Sequence, residues 1–215
     1  KLLTIFLIIN CQLLIVSFSV HAQKFGGGLI AGATFSQMLN TDIYGFQKAG
    51  IVAGVYADRV IKNKSGIQVE MVFVQKGYRK VTKDPISSGG AVHFVNLNTN
   101  YIEVPVMFES NLKDRFSFEI GLSGGVLINS KFRNENGEGS MYDPSQQPFN
   151  RFEFGCLGGF HFRISDSFDL DLRYLNSILR VRKHQAGQTQ MIGAVRLNRG
   201  EYNSVLQVKI GRAHV

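Results

Sequence analysis

The side chains able to move protons, hold metals or grip phosphate are few and scattered in this 215-residue chain. The histidines are His21, His93, His161, His184 and His214. A general base must lie within hydrogen-bond reach of the proton it takes. His93 and His184 fall in or beside long polar stretches with few acids nearby and read as ordinary loop histidines. His161 alternates with Glu153 and Arg163 and lies close to a short turn. A metal needs three or four convergent His, Cys or carboxylate ligands, and no local spacing offers them. Gly26-Gly27-Gly28 lacks the lysine and helix of a phosphate-cradling loop and reads as strand flexibility. No catalytic residue, cofactor or metal site is expected.

Two groups of charge remain. Glu70, Glu103, Glu119, Glu153, Asp171 and Arg173 all stand at alternating positions among apolar residues. Charges withdrawn from water persist only when paired, so these six are expected to form one internal charge network, with Arg163, Lys76 and Gln68 as further partners. The alternatives are a proton relay or a pore. The second group is basic: Lys76, Arg79, Lys80 and Lys83 in one cluster, Arg180, Arg182 and Lys183 in another, with Arg196 and Arg199 beyond. Such side chains suit phosphate oxygens and are candidates for lipid-phosphate binding; an ordinary solvated rim has the same composition. The formal net charge of +8 does not point to nucleic acid in an exported chain.

Export follows from the start of the sequence. Lys1 precedes an apolar run broken only by Asn10, Cys11 and Gln12, and Val20-His21-Ala22 supplies a cleavage site before Gln23. Residues 1–22 therefore read as a secretory signal peptide. Asn10 before Cys11 argues against lipidation. Cys11 leaves with the signal, so Cys156 has no internal disulfide partner. Residues 23–209 form one domain, without repeat or linker. Ile210 to Val215 match the translation of a common sequencing adapter, so 210–215 are expected to be a non-native tail.

The elements that position these charges are strands. Past Gln23 the apolar period is two. Leu29, Ala31, Ala33 and Phe35 share one face; Ile51, Ala53, Val55 and Ala57 the next; Ile67, Val69, Met71 and Phe73 the third. Further sets start at Ile102, Phe116, Phe152, Phe168 and Tyr202, which makes eight strands. Val52 and Tyr56 sit awkwardly on a polar face, and Pro105 reads as a local bulge, since proline removes a ladder donor. Short links near 61–65, 111–114 and 165–166 alternate with long ones near 36–47, 78–94, 129–151 and 181–200. Short turns at one end and long loops at the other mark transmembrane barrels. The short turns carry fewer basic residues than the long-loop end. In lipid every backbone group must be paired, so the sheet must close. The fold class is all-β, a closed antiparallel eight-stranded transmembrane β-barrel, its lumen filled by side chains at this strand number. Alternation alone does not say which face is inward.

Several short motifs resemble the PorT-like outer-membrane β-barrel family of Bacteroidetes. They are Ala22-Gln23, Gly32-Ala33-Thr34-Phe35-Ser36, Lys48 to Gly54, Gln68-Val69-Glu70 with Gln75-Lys76-Gly77, Tyr101-Ile102-Glu103-Val104-Pro105, and Arg173-Tyr174. The match covers nearly the whole mature chain but lacks a terminal aromatic strand residue. It implies an eight-stranded barrel in the outer membrane of a Gram-negative bacterium and makes Pro105 a family feature. The expected role is structural or interactive: a monomer presenting extracellular loops and contacting outer-membrane lipids, with lipopolysaccharide among them and an envelope protein partner unidentified. An outer-membrane enzyme acting on lipid or peptide, and a soluble periplasmic ligand-binding barrel, are the alternatives.

Overall fold

The computed structural model describes residues 25–39, 45–62, 64–83, 92–113, 115–134, 149–165, 168–183 and 200–214, without the side chains of residues 62, 82, 83, 92, 93, 134 and 212–214. The signal peptide, His184, Arg196 and Arg199, and the side chains of Lys83, His93 and His214, lie outside what is described.

Among the described residues nine strands follow one another: β1 (Phe25–Leu39), β2 (Lys48–Lys62), β3 (Ser65–Lys83), β4 (Val92–Lys113), β5 (Phe116–Asn134), β6 (Phe152–Arg163), β7 (Phe168–Ser177), the two-residue β8 (Arg182–Lys183) and β9 (Gly200–His214). Each long strand pairs with the next, and β1 pairs with β9, so eight strands close into a ring. Every pairing is antiparallel. Closure leaves no open edge along the barrel wall, as lipid demands. The backbone of residues 210–214, read from sequence as a tail, continues β9 in register with β1, from Ile210 opposite Ala31 to His214 opposite Gly27.

The faces settle what alternation left open. Leu29, Ile51, Val55, Met71, Ile120, Leu122, Phe152, Phe154, Phe160 and Leu172 are exposed on the outside. Glu70, Lys76, Glu103, Glu119, Glu153, Asp171, Arg173 and Lys209 are buried inside. A soluble barrel would show the reverse, an apolar interior and a polar exterior, so that alternative falls. Val52 and Tyr56 find a simple explanation. With Ile30, Val72 and Val74 they form an apolar patch on the inner wall, so the lumen is not uniformly polar.

Pro105 is buried and faces inward, but it does not make a bulge. The β3–β4 ladder omits the residues around it and resumes in the same register, Val69 opposite Val106 and Val72 opposite Glu103. The missing donor is thus absorbed without a shift. The real irregularities lie at Val60/Lys62, Asn100/Tyr101 and Asn111/Lys113.

Strand length is uneven. β3, β4 and β5 have 19, 22 and 19 residues, whereas β6 and β7 have 12 and 10. A transmembrane strand needs only about 9–11 residues. The surplus on β3–β5 lies at the long-loop end, where Lys83 still pairs with Val92 and Val95 with Asn134. A three-stranded ribbon therefore rises above the outer rim.

Candidate functional site: the lumen and the outer rim

The lumen is organised in levels. At the middle level Arg173 of β7 donates from Nη1 and Nη2 to Glu70 at 2.9 and 3.1 Å, and from Nε and Nη2 to Glu119 at 2.6 and 2.7 Å. Its planar fork suits two carboxylates at once. Lys209 of β9 donates to both oxygens of Glu70 at 2.9 and 3.1 Å, and Gln68 adds a bond of 2.8 Å. Asp171 lies 3.8 Å from Lys209.

The register explains how Glu119 and Arg173 meet. They are two strands apart, and the residue between them on β6 is Gly159. A Cβ there would fall 2.7 Å from the Glu119 carboxylate and 2.5 Å from the Leu172 carbonyl. The missing side chain lets the two charges close over the glycine. Nearer the outer end Gly125 stands between Glu103 and Glu153, and a Cβ there would lie 3.0 Å from the Glu103 side chain, so this glycine leaves room for two carboxylates that share one cation.

At that outer level Lys76 forms ion pairs with Glu103 and, at 3.0 Å, with Glu153. Ser177 and Asn203 also donate to Glu153, at 2.6 and 2.9 Å. The Lys76 ammonium lies over the Tyr101 ring, 5.1 Å from its centroid. Above it Arg182 grips Glu201 with two bonds of 2.7 Å and packs on Phe149. Met38, Tyr78, Leu97, Phe149 and Val181 then cap the lumen with apolar side chains.

At the short-turn end His161 contacts Asp171 at 2.6 Å and Asp169 at 3.4 Å. With Tyr56, Asp58, Glu109 and Arg163 they line a cleft of about 290 Å³. His161 thus lies at the end away from the long loops, as its place near a turn implies.

Two basic residues assigned from sequence to a phosphate-binding rim belong elsewhere. Lys76 and Arg182 are fully buried and ion-paired within the barrel. Arg79 and Lys183 are exposed; Lys80 and Arg180 are half-buried. Nor is the short-turn end poor in cations, since Arg59, Lys64, Lys113, Arg115 and Arg163 are exposed there. Glu70, Glu103, Glu119, Glu153, Asp171 and Arg173 do occupy the lumen, together with Lys209 and Glu201, which sequence reasoning passed over. Both lie on the alternating inward positions of β9.

A model of the outer membrane protein beta-barrel domain matches residues 19–180. The chain belongs to that family. Among solved structures, this outer-membrane barrel is similar to Ail, the attachment invasion locus protein of Yersinia pestis, in complex with the heparin analogue sucrose octasulfate. Identity there is 13%, TM-score 0.47, over 89% of this chain and 99% of that one. It is also similar to Neisserial surface protein A, at 10% identity and TM-score 0.46, over 87% and 96%. A third is OprG from Pseudomonas aeruginosa, at 8% identity and TM-score 0.37, over 88% and 94%. No curated protein matches the chain in sequence. The family places the barrel in the outer membrane.

Proposed function

We propose that this barrel is a sealed, non-catalytic membrane anchor whose work is done at its outer surface. It would act as a monomer that presents four long connections and contacts outer-leaflet lipids, lipopolysaccharide among them. The observation that carries this reading is the lumen itself. Three stacked ion-pair levels and an apolar cap fill the axis from Arg173 to Phe149. An interior packed in this way transmits neither solute nor proton along a water column, which leaves the outer face to interact. The test is conductance in planar bilayers at neutral pH. The expected result is no single-channel events; stepwise openings of a pure preparation would overturn the sealed anchor.

We further infer that the chain is PorT-like. The motifs that carry this resemblance are coupled in space. Lys76 of Gln75-Lys76-Gly77 pairs with Glu103 and covers Tyr101 of Tyr101-Ile102-Glu103-Val104-Pro105. Glu70 of Gln68-Val69-Glu70 pairs with Arg173 of Arg173-Tyr174. Motifs that touch are parts of one device, the lumen plug, and this supports reading them together.

A further inference from the structure

The ribbon of β3–β5 above the rim has two faces. Its inward face carries Tyr78, Leu97 and Phe132 on one rung and continues the apolar cap. Its outward face changes character abruptly. Phe73, Ile102 and Val126 form an apolar outward rung, with Ile128 exposed at the bulge just above it; beyond the three polar rungs that follow, Val81, opposite Phe94, is apolar and exposed again. The next outward rung is Gln75, Asn100 and Asn129, the following one Gly77, Asn98 and Lys131, and the third Arg79, Asn96 and Arg133. Arg79, Lys131 and Arg133 are all exposed.

From this placement we propose that the outward face of the ribbon is a binding face for the phosphorylated headgroup of an outer-leaflet glycolipid, lipopolysaccharide in a Gram-negative outer membrane. The proposal rests on the outer-surface reading above and gives it a location. Four features support it.

First, the height fits. Two residues of strand advance about 7 Å, and strands in such barrels tilt by about 35–45°. Each rung is therefore about 5 Å higher than the last. The headgroup zone adds about 5–8 Å to each side of the hydrocarbon, so the polar rungs begin where phosphates begin. A free phosphate in water would not require cations stacked directly above an apolar rung; a lipid held by its chains does.

Second, the spacing is fixed. Arg79 and Arg133 both pair with Asn96, so they stand two strand spacings apart, about 10 Å, with Lys131 one rung below Arg133. Strand backbones hold the three cations, and guanidinium forks bind phosphate oxygens bidentately.

Third, the intervening side chains are amides. The Asn100 side chain donates to that of Asn129 at 2.7 Å, so the lowest polar rung is already ordered. Amides both donate and accept and suit the hydroxyls of a sugar between phosphates.

Fourth, no described acid opposes these cations. Among the described residues the acids at the outer end are Glu103, Glu153 and Glu201, and all three are buried. The short-turn end also exposes cations, but Asp58, Glu109 and Asp169 are only partly buried there. Net charge is thus shared by both ends; among the described residues, strand-held cations without an exposed acid beside them mark the outer one. Gly77, on the middle rung, is required by the backbone. Its φ is +138°, and a Cβ would fall 2.1 Å from the Leu97 carbonyl oxygen.

The experiment compares the parent with two triple variants of equal charge change: R79Q/K131Q/R133Q on the ribbon, and K64Q/K113Q/R115Q at the short turns. Each is reconstituted in phosphatidylcholine bilayers with and without lipopolysaccharide, and with lipopolysaccharide stripped of phosphate. The thermal midpoint at low salt is read from the heat-dependent gel shift, which also reports folding. The parent midpoint should rise with intact lipopolysaccharide and much less with the dephosphorylated form. The ribbon variant should lose more than half of that rise, and the short-turn variant should keep it. In phosphatidylcholine alone all three should agree. A ribbon variant that keeps the full rise overturns the proposal. So does an equal loss in the short-turn variant, which would reduce the effect to net charge, or a parent that shows no rise. None of these outcomes bears on the sealed lumen, which conductance tests separately.

Discussion

Two levels of one lumen solve the burial of charge in different ways. At the middle level Arg173 makes four hydrogen bonds to Glu70 and Glu119, and Lys209 adds a second cation on Glu70. At the outer level Lys76 is the single cation between Glu103 and Glu153, and the neutral donors Ser177 and Asn203 make up the shortfall. The middle level balances charge with charge. The outer level has one negative charge in excess and relies on hydrogen bonds. Neutral donors stabilise a carboxylate less than ionic ones. The outer level should therefore lose less when its cation is taken away, because part of its support remains.

The largest effect should follow Arg173→Met. Glu119 then has no cation and Glu70 keeps only Lys209. Breaking a buried pair by deleting one partner costs about 3–5 kcal/mol, and the loss of four bonds puts this variant at the top of that range. The measurement is the urea midpoint of the reconstituted barrel. Lys76→Met should come next, in the middle of the range at about 4 kcal/mol, because Ser177 and Asn203 still hold Glu153 while Glu103 loses its cation. Equal losses for the two variants would erase the distinction between the levels. Glu119→Leu should be the mildest, about 3 kcal/mol for two charged hydrogen bonds, since Arg173 retains Glu70. A larger loss than for Lys76→Met would show that Glu119, and not Arg173, anchors the middle level.

The two levels also share a construction that neither charge nor hydropathy announces. Gly125 and Gly159 each stand between two charged inward residues on neighbouring strands. In the sequence they look like weak points of strands, where glycine lacks packing. In the barrel they are clearances: Gly159 lets Glu119 meet Arg173, and Gly125 leaves room for the Glu103 and Glu153 side chains that share Lys76. The signal was present: both are inward positions by alternation. Reading it required the register.

Period-two alternation determined the strands and the residues sharing each face, because successive side chains point to opposite sides of a pleated sheet. The alternation of short and long links determined the end at which loops gather. On that basis Glu70, Glu103, Glu119, Glu153, Asp171 and Arg173 could be grouped from sequence alone. Which face turns inward was decided only by closure of β1 on β9, since alternation is symmetric between the two. Partner choice was decided there too. Glu70 and Arg173 are 103 residues apart, and Lys76 and Glu153 are 77 apart; only the stagger of strands around the ring brings them level. The fate of Lys76 and Arg79 shows the limit most plainly. They lie three residues apart on one strand and carry the same charge, yet one is sealed in the lumen and the other faces out. Clustering by sequence put them together; an odd separation along a pleated strand puts them on opposite sides of the wall.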